Sequence, residues 1–391
     1  MGKEMEICNF ENILENNGGS YRDHENFCKI KIPLVFMPKE VGIILINYQD
    51  YAARFLNACR DSLRAQDYPA ELMNIYIVDN ASTPETLEYL KTNYPEARIL
   101  TRPDGNYAAA NNLGLNQATS DGCEYLVTVN MDTETAPNWL SELVKALDRN
   151  SEAAIAQSKI LLFPRPEEAR ENPRVNSLGN IIHFLGFGFT SGYGETDGEI
   201  TGYPEIKGYA SGCSFIIRAE VFKKIGGYME EFYMYHDDLE LSLKVRLAGY
   251  KIVLAPQSII FHKYEFSRSV RMFYYMERNR YLTLLIFYPA RLFLLVGLAG
   301  AAMDIVMFFY SIFGGRLKEE LKIWGYFCRY STYVKICDAR RGVKKNSVVK
   351  FSEIARDFSG RIEFQEITNP LLKYIGNPLL AWYWRLIRRI I

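Results

Sequence analysis

Paired cysteines are absent from this 391-residue sequence. Its seven (Cys8, Cys28, Cys59, Cys123, Cys213, Cys328 and Cys337) are odd in number, scattered and never in a CxxC pair. That spacing argues against a disulfide framework or a cysteine zinc site and fits a reducing compartment. An excess of one charge is lacking as well. Lysine plus arginine and aspartate plus glutamate stand at 46 each, so no global field draws nucleic acid and a polyanion site has to be local. No Walker-type glycine loop is present and no GxGxxG follows the first apolar run. A P-loop or dinucleotide reading therefore has no phosphate cradle. The first 27 residues hold acids and amides where a signal peptide has an apolar core, and export by that route is not expected.

What the chain does have is apolar and aromatic bulk. Hydrophobic residues make up 48%, with 27 tyrosines and 23 phenylalanines, enough for a large core and more than one unit. The aromatics suit a core, a sugar-stacking cleft or a membrane interface alike. Residues 1–39 are polar and weakly patterned and read as an N-terminal extension. VGIILIN (41–47) is then apolar almost throughout, as in a strand buried on both faces of a parallel sheet. AARFLNACRDSLRAQ (52–66) has helical spacing, and MNIYIVDN (73–80) is a second buried strand. This strand–helix–strand unit repeats through residue 161. It predicts an α/β fold with a doubly wound, mostly parallel sheet and helices on both faces. Residues 162–208 are rich in Gly, Pro and polar side chains and read as loops and hairpins over one face. Within them the stretch 179–202 suits a lid or a plain surface loop. Strand and helix return over 211–227, and an acidic cluster opens a helix over 236–250.

Ligands in an open α/β sheet bind beyond the carboxyl ends of the strands. Three strands here end in polar residues: Asn47-Tyr48, Asp79-Asn80 and Asn130-Met131-Asp132. Asp79 suits hydrogen bonds from a base or ribose, and Asp132 suits a divalent cation. Singly, each reads equally well as the cap of the following turn. Three such ends together read as a binding edge.

The segments VGIILINYQD, IYIVDNAST, NYAAANNLGLNQA, LVTVNMDTETAPNWL and SGCSFIIRAEVFKKIGGYMEEFYMYHDDLELSLKVRLAGY follow one another within residues 40–265. In that order they strongly resemble family 2 glycosyltransferases, especially the bacterial rhamnosyltransferase-like branch. The resemblance implies a GT-A fold over 40–265. It also implies inverting transfer of one sugar from a dTDP- or UDP-linked donor to a saccharide or lipid-linked saccharide, in cell-surface polysaccharide synthesis. Donor contacts are implied at Asn47, Tyr48, Asp79, Asn106, Asn111 and Asn130, with Asp79 on the base. Asn106 departs from the family, which usually has a glycine there. Mg2+ or Mn2+ is implied on Asp132, the acid of a DxD-like motif whose first acid is an amide. His262 is implied beside the metal or the diphosphate, and Gly212 and Asp237 on the acceptor side. Cys213, with no partner at ligand spacing, reads as packing.

Inverting displacement needs a base for the acceptor hydroxyl and a cation for the leaving diphosphate. Asp237, Asp238 and Glu240 crowd three acids into the start of one helix. The helix dipole favours acids there, but capping needs only one and crowding costs repulsion. The cluster resembles the family's EDxD motif, whose second acid is the base, and that position is Asp238. Arg268, Arg278 and Arg280 suit a phosphate fork or a solvated basic face.

Residues 266–391 read as a helical, membrane-associating region. LFLLVGLAGAAMDIVMFFYSIF (292–313) is long enough to span a bilayer, yet Asp304 in its middle is costly in lipid. The basic tail PLLAWYWRLIRRII (378–391) looks interfacial. A monotopic or re-entrant association with the cytoplasmic face of the membrane is expected, and the apolar helix also suits a homo-oligomer. Rival functions are a metal-dependent nucleotidyltransferase, which usually carries a glycine-rich basic loop after its first strand, and a non-catalytic membrane scaffold. A processive synthase is disfavoured because QxxRW is missing.

Overall fold

The structure, a computed structural model, describes residues 38–164, 173–264, 273–363 and 370–391. The N-terminal extension, apart from its last two residues, lies outside them, as does Arg268. Strands and helices alternate as the apolar runs predict: β1 (Val41–Tyr48), α1 (Tyr51–Arg64), β2 (Met73–Asn80), α2 (Pro84–Asn93), β3 (Arg98–Arg102), α3 (Tyr107–Ser120) and β4 (Tyr125–Val129). A short β5 (Thr133–Thr135), α4 (Trp139–Arg149) and β6 (Ala153–Leu162) follow, then the small strands β7 (Val175–Ser177), β8 (Asn180–Ile182) and β9 (Gly188–Thr190). Next come β10 (Ser214–Arg218), α5 (Ala219–Ile225), α6 (Asp237–Leu247) and β11 (Lys251–His262). Helices α7 (Phe273–Phe287), α8 (Ala290–Phe313), α9 (Leu317–Phe327), α10 (Tyr330–Asn346), α11 (Phe351–Ala355) and α12 (Asn377–Ile387) complete the chain.

The main sheet has the order β3-β2-β1-β4-β10-β6-β11-β5, with β7 beside β6. β3, β2, β1 and β4 are parallel, and β11 is parallel to β6. β10 runs antiparallel between β4 and β6, so the sheet is mixed. The chain reaches β10 from the hairpin region rather than through a crossover helix, which leaves it free to enter backwards. One edge therefore collects the carboxyl ends of β1, β2, β4, β6 and β11 together with the start of β10.

Alternation along β1 shows why its apolar run is unbroken. Val41, Ile43 and Leu45 pack with Leu56, Trp139 and Leu143, whereas Ile44 and Ile46 pack with Leu115, Phe222 and Leu241. A strand covered by helices on both faces needs apolar residues at both parities. At Gly42 a Cβ would stand 2.5 Å from the Ala118 Cβ, so α3 lies against β1 closer than any larger residue permits.

Helix α6 is buried on opposite sides. Leu241 and Val245 face the sheet, while Leu239, Leu243 and Leu247 join a third apolar cluster with Leu282, Ile286, Phe351, Phe358 and Trp384. Phe184 stacks on Trp384 in that cluster, centroids 5.0 Å apart. The C-terminal helices thus share a core with the helix that carries the acidic cluster, and residues 38–391 form one compact unit.

Candidate active site

Strand register places Asn47 opposite Asp79 and Tyr48 opposite Asn80. The Asn47 Nδ2 donates to Asp79 Oδ1 at 2.7 Å, and its Oδ1 accepts the Ala52 N–H at 2.8 Å, tying the strand end to the start of α1. Ser82 Oγ and Thr86 Oγ1 donate to Asp79 Oδ2 at 2.6 and 2.7 Å. Asp79 is fully buried. A carboxylate has about four acceptor positions, so three internal donors fix it and leave room for one more. Beside it Asn80 Oδ1 is buried with no hydrogen-bond partner in the protein, a condition that costs about 1–3 kcal/mol until a donor arrives. Tyr48 is exposed at the rim.

Beyond β4, Asn130 Oδ1 accepts from Tyr107 at 3.0 Å, and its N–H donates to Cys213 O at 2.9 Å. Asp132 is fully buried, and its Oδ1 lies 3.4 Å from His262 Nε2 at the end of β11. Asn176 Oδ1 lies 2.8 Å from His262 Nδ1 and fixes the ring. Burial opposes the imidazolium, but Cys213 and the Asp132 carboxylate outweigh it and raise the His262 pKa to about 10. Among the described residues no group of three or more His, Cys, Asp and Glu gathers as a complete metal cage. One carboxylate with one imidazole still fits Mn2+ or Mg2+, ions that take most of their ligands from phosphate oxygens and water.

Asp238 stands in the first turn of α6, half-buried. Its Oδ2 accepts the Gly212 N–H at 3.0 Å and its Oδ1 accepts the Leu239 N–H at 2.8 Å. Burial pushes its pKa up to about 6 despite those two donors. Asp237 is more deeply buried; burial first, then the charge of Asp238, raises it well above the usual carboxylate range. Glu240, the third acid, is structural: it accepts the Met229 N–H and pairs with Lys244 at 2.7 Å.

The segment that delivers Asp238 is strained. Tyr233, Tyr235 and His236 have φ of 65°, 63° and 58°, a region that costs a non-glycine residue about 1–2 kcal/mol each. Tyr233 has ψ −63°, and Met234 N–H donates to Phe232 O at 2.7 Å. That is the rare γ-turn. Such conformations persist only when the surroundings over-determine them.

Residues 42–226 match the model of glycosyl transferase family 2. The chain carries a family 2 glycosyltransferase domain. It is 29% identical over 250 residues to the O-antigen biosynthesis protein RfbC of Myxococcus xanthus, covering 61% of this chain and 18% of that protein. It is 22% identical over 207 residues to the N-acetylglucosaminyl-diphospho-decaprenol L-rhamnosyltransferase of Mycobacterium tuberculosis, covering 49% of this chain and 66% of that one. The chain spans about a fifth of the length of the first two curated relatives it matches. Among solved structures it is similar to S. aureus TarS 1-349 in complex with UDP, with 15% identity, 90% of each chain covered and a TM-score of 0.46.

Within and beyond the family 2 domain, not every residue singled out in the sequence joins the edge. Asn47, Asp79, Asn130, Asp132, Gly212 and His262 lie at strand ends or starts on it. Asn106 caps α3 instead: its Oδ1 accepts the Ala109 N–H at 3.1 Å and its Nδ2 donates to Glu230 O at 3.0 Å. Asn111 is buried in α3 and bonds back to Tyr107 O. Arg278 and Arg280 are neither solvated nor free for phosphate. Arg278 binds the carbonyls of Glu231 and Phe232, and Arg280 is buried with Glu277, Asp304 and Leu185 O. Cys213 packs in the core as expected and also touches His262 electrostatically. Sequence reasoning missed Ser82 and Thr86, whose place three and seven residues after Asp79 was the available signal. It also missed Asn176, which had none.

Proposed function

We propose that this chain is an inverting glycosyltransferase that moves one sugar from a nucleotide-diphosphate donor, dTDP- or UDP-linked, to a saccharide or lipid-linked saccharide in cell-surface polysaccharide synthesis. The observation that carries the reading is Asp238, a half-buried carboxylate with a pKa near 6, held by Gly212 on the sheet edge where Asp79 and Asp132 also end. A base tuned close to working pH is what hydroxyl activation requires. Asp79 and the open acceptor on Asn80 receive N–H or O–H donors of the nucleotide, with Tyr48 at the rim. Asp132 and His262 would hold the divalent ion, which when bound neutralises charge on the leaving diphosphate. Asp238 takes the acceptor proton as the acceptor oxygen attacks the anomeric carbon from the face opposite the diphosphate. Burial and the neighbouring Asp238 charge favour the neutral form of Asp237, which lessens repulsion between the two acids.

Product analysis on a panel of nucleotide sugars tests the reading. Release of nucleoside diphosphate with a glycosylated acceptor supports it. Release of pyrophosphate would instead identify a nucleotidyltransferase, and no turnover of any donor would favour a non-catalytic scaffold.

The reading includes peripheral attachment to the cytoplasmic face of a membrane. Leu294, Leu298, Ile305, Val306, Phe309 and Phe313 form an exposed stripe along α8, and Leu379, Trp382 and Leu386 lie exposed on α12 beside Arg385. Asp304 does not face that stripe's surroundings alone, because Arg280 and Tyr281 bond it at 2.9 and 2.8 Å. One side of α8 thus belongs to the protein, which suits a helix lying in the interface rather than crossing it. The double variant Leu294→Glu, Leu298→Glu is expected to weaken flotation with vesicles of phosphatidylethanolamine and phosphatidylglycerol by roughly tenfold or more. Turnover of soluble donor should persist. Unchanged flotation would remove α8 from the membrane face.

A further inference from the structure

We propose that Asn279 is a positioning residue for Asp238, acting through the strained turn that precedes α6; the inference rests on the reading of Asp238 as the base. Asn279 lies on α7, outside the matched family 2 segment, and is fully buried. Its two Nδ2 hydrogens are shared among three carbonyls of one turn: Phe232 at 2.8 Å, Met234 at 2.9 Å and Tyr235 at 2.7 Å. Its Oδ1 is held by the Arg278 Nε at 3.0 Å and Nη2 at 2.8 Å. The same Arg278 Nη2 reaches Glu231 O and Phe232 O. Both ends of a buried amide are therefore spent on one short segment of backbone.

That segment is the one with the γ-turn at Tyr233 and left-handed Tyr235 and His236. Its carbonyls turn toward the buried Asn279 amide, and a carbonyl turned away from solvent needs a donor. Asn279 shares its two N–H donors among the three, which it can do only in this conformation. Two residues later the chain arrives at Asp238, whose other anchor outside α6 is the Gly212 N–H. Without the Asn279 donors, Tyr235 and His236 relax toward negative φ and the first turn of α6 shifts. Asp238 then leaves the point where the acceptor hydroxyl must sit. A leucine at 279 would suit the apolar cluster around α7 better, and the amide is explained by the turn.

The test is Asn279→Asp, which keeps the oxygen bonded by Arg278 and replaces the donors with a second acceptor. The expected kcat is about 10²-fold lower, the loss a 1 Å displacement produces, with donor KM within about threefold of wild type because the Asp79 end of the site is untouched. Adding Tyr235→Gly, which adopts positive φ freely, should restore kcat at least about tenfold; a purely structural asparagine would be worsened by a second destabilising change. If Asn279→Asp does not fold, Asn279→Ser, which retains one donor, goes through the same comparison. A folded variant with wild-type kcat, a matching rise in donor KM, or no recovery with glycine overturns the proposal. Asp238→Asn measured alongside separates the failures. If Asp238→Asn still turns over, the base assignment falls; if it is dead while Asn279→Asp is fully active, only the positioning role falls.

Discussion

Asp238→Asn is expected to lower kcat for sugar transfer by about 10²- to 10⁴-fold, the contribution of a placed general base, while donor binding survives. The amide keeps the shape but has a single acceptor oxygen, so it can keep only one of the Gly212 and Leu239 N–H bonds, and it cannot take a proton. In the wild type, kcat/KM should rise with pH and level off above an acid limb near 6, where Asp238 loses its proton. The variant should show no such limb on its residual rate. Stability should move the other way. Burial raises the folded pKa of Asp238 above its unfolded value, so its favourable contribution is complete below the ordinary carboxylate pKa of 3.8 and is lost as pH rises through about 6. At pH 8 the wild type carries a desolvated charge that the variant lacks. The N–H bond lost to the amide costs about 1–3 kcal/mol at every pH, so the expected signature is the pH dependence: the stability of the variant relative to wild type should rise as pH passes through about 6. Inactivity together with a relative stability that rises through about pH 6 is a combination that a generally damaging substitution does not produce. Full activity in a folded Asp238→Asn would remove the base.

The second large effect is expected at Asp132. Asp132→Asn should weaken Mn2+ binding in the presence of nucleoside diphosphate by about 10- to 100-fold or more, given that even outer-shell changes reach that range. Electron paramagnetic resonance of free Mn2+ reads this without any turnover. Transfer should fall by about 10²–10³-fold, the size of a lost electrostatic contact to developing charge. His262→Ala should act in the same direction, since its ring stands 3.4 Å from the Asp132 oxygen and is fixed by Asn176. Mn2+ affinity unchanged by both substitutions would place the metal elsewhere or exclude it from the ground-state complex.

Much of the strand-end edge was legible because buried parallel strands leave an unmistakable apolar run and their polar ends have nowhere else to go. Asn47, Asp79 and Asp132 could be read as one edge for that reason, before any contact was known. The antiparallel β10 was not legible. SFIIR is as apolar as any parallel strand, and its direction depends on the hairpin route by which the chain arrives. Nor was the fate of Arg278 and Arg280, since a guanidinium has the same letter whether it grips phosphate or a buried carbonyl. The sharpest loss concerns Tyr233, Tyr235 and His236. A glycine would have announced positive φ, whereas tyrosine and histidine hide it. Asn279, which answers that conformation from 43 to 46 residues away, looks in sequence like an ordinary polar residue on a helix. Asp304 likewise read as a cost inside an apolar helix until Arg280 and Tyr281 were seen to meet it.

A single displacement driven by one carboxylate inverts the anomeric carbon, and the configuration of the first transferred sugar records it. Nuclear magnetic resonance of the product formed from an α-linked donor by wild-type protein should show a β-linkage, with no sugar left covalently on the protein. An α-linked product, or a glycosylated side chain trapped on the protein, would contradict the role given to Asp238 and to the edge on which it stands.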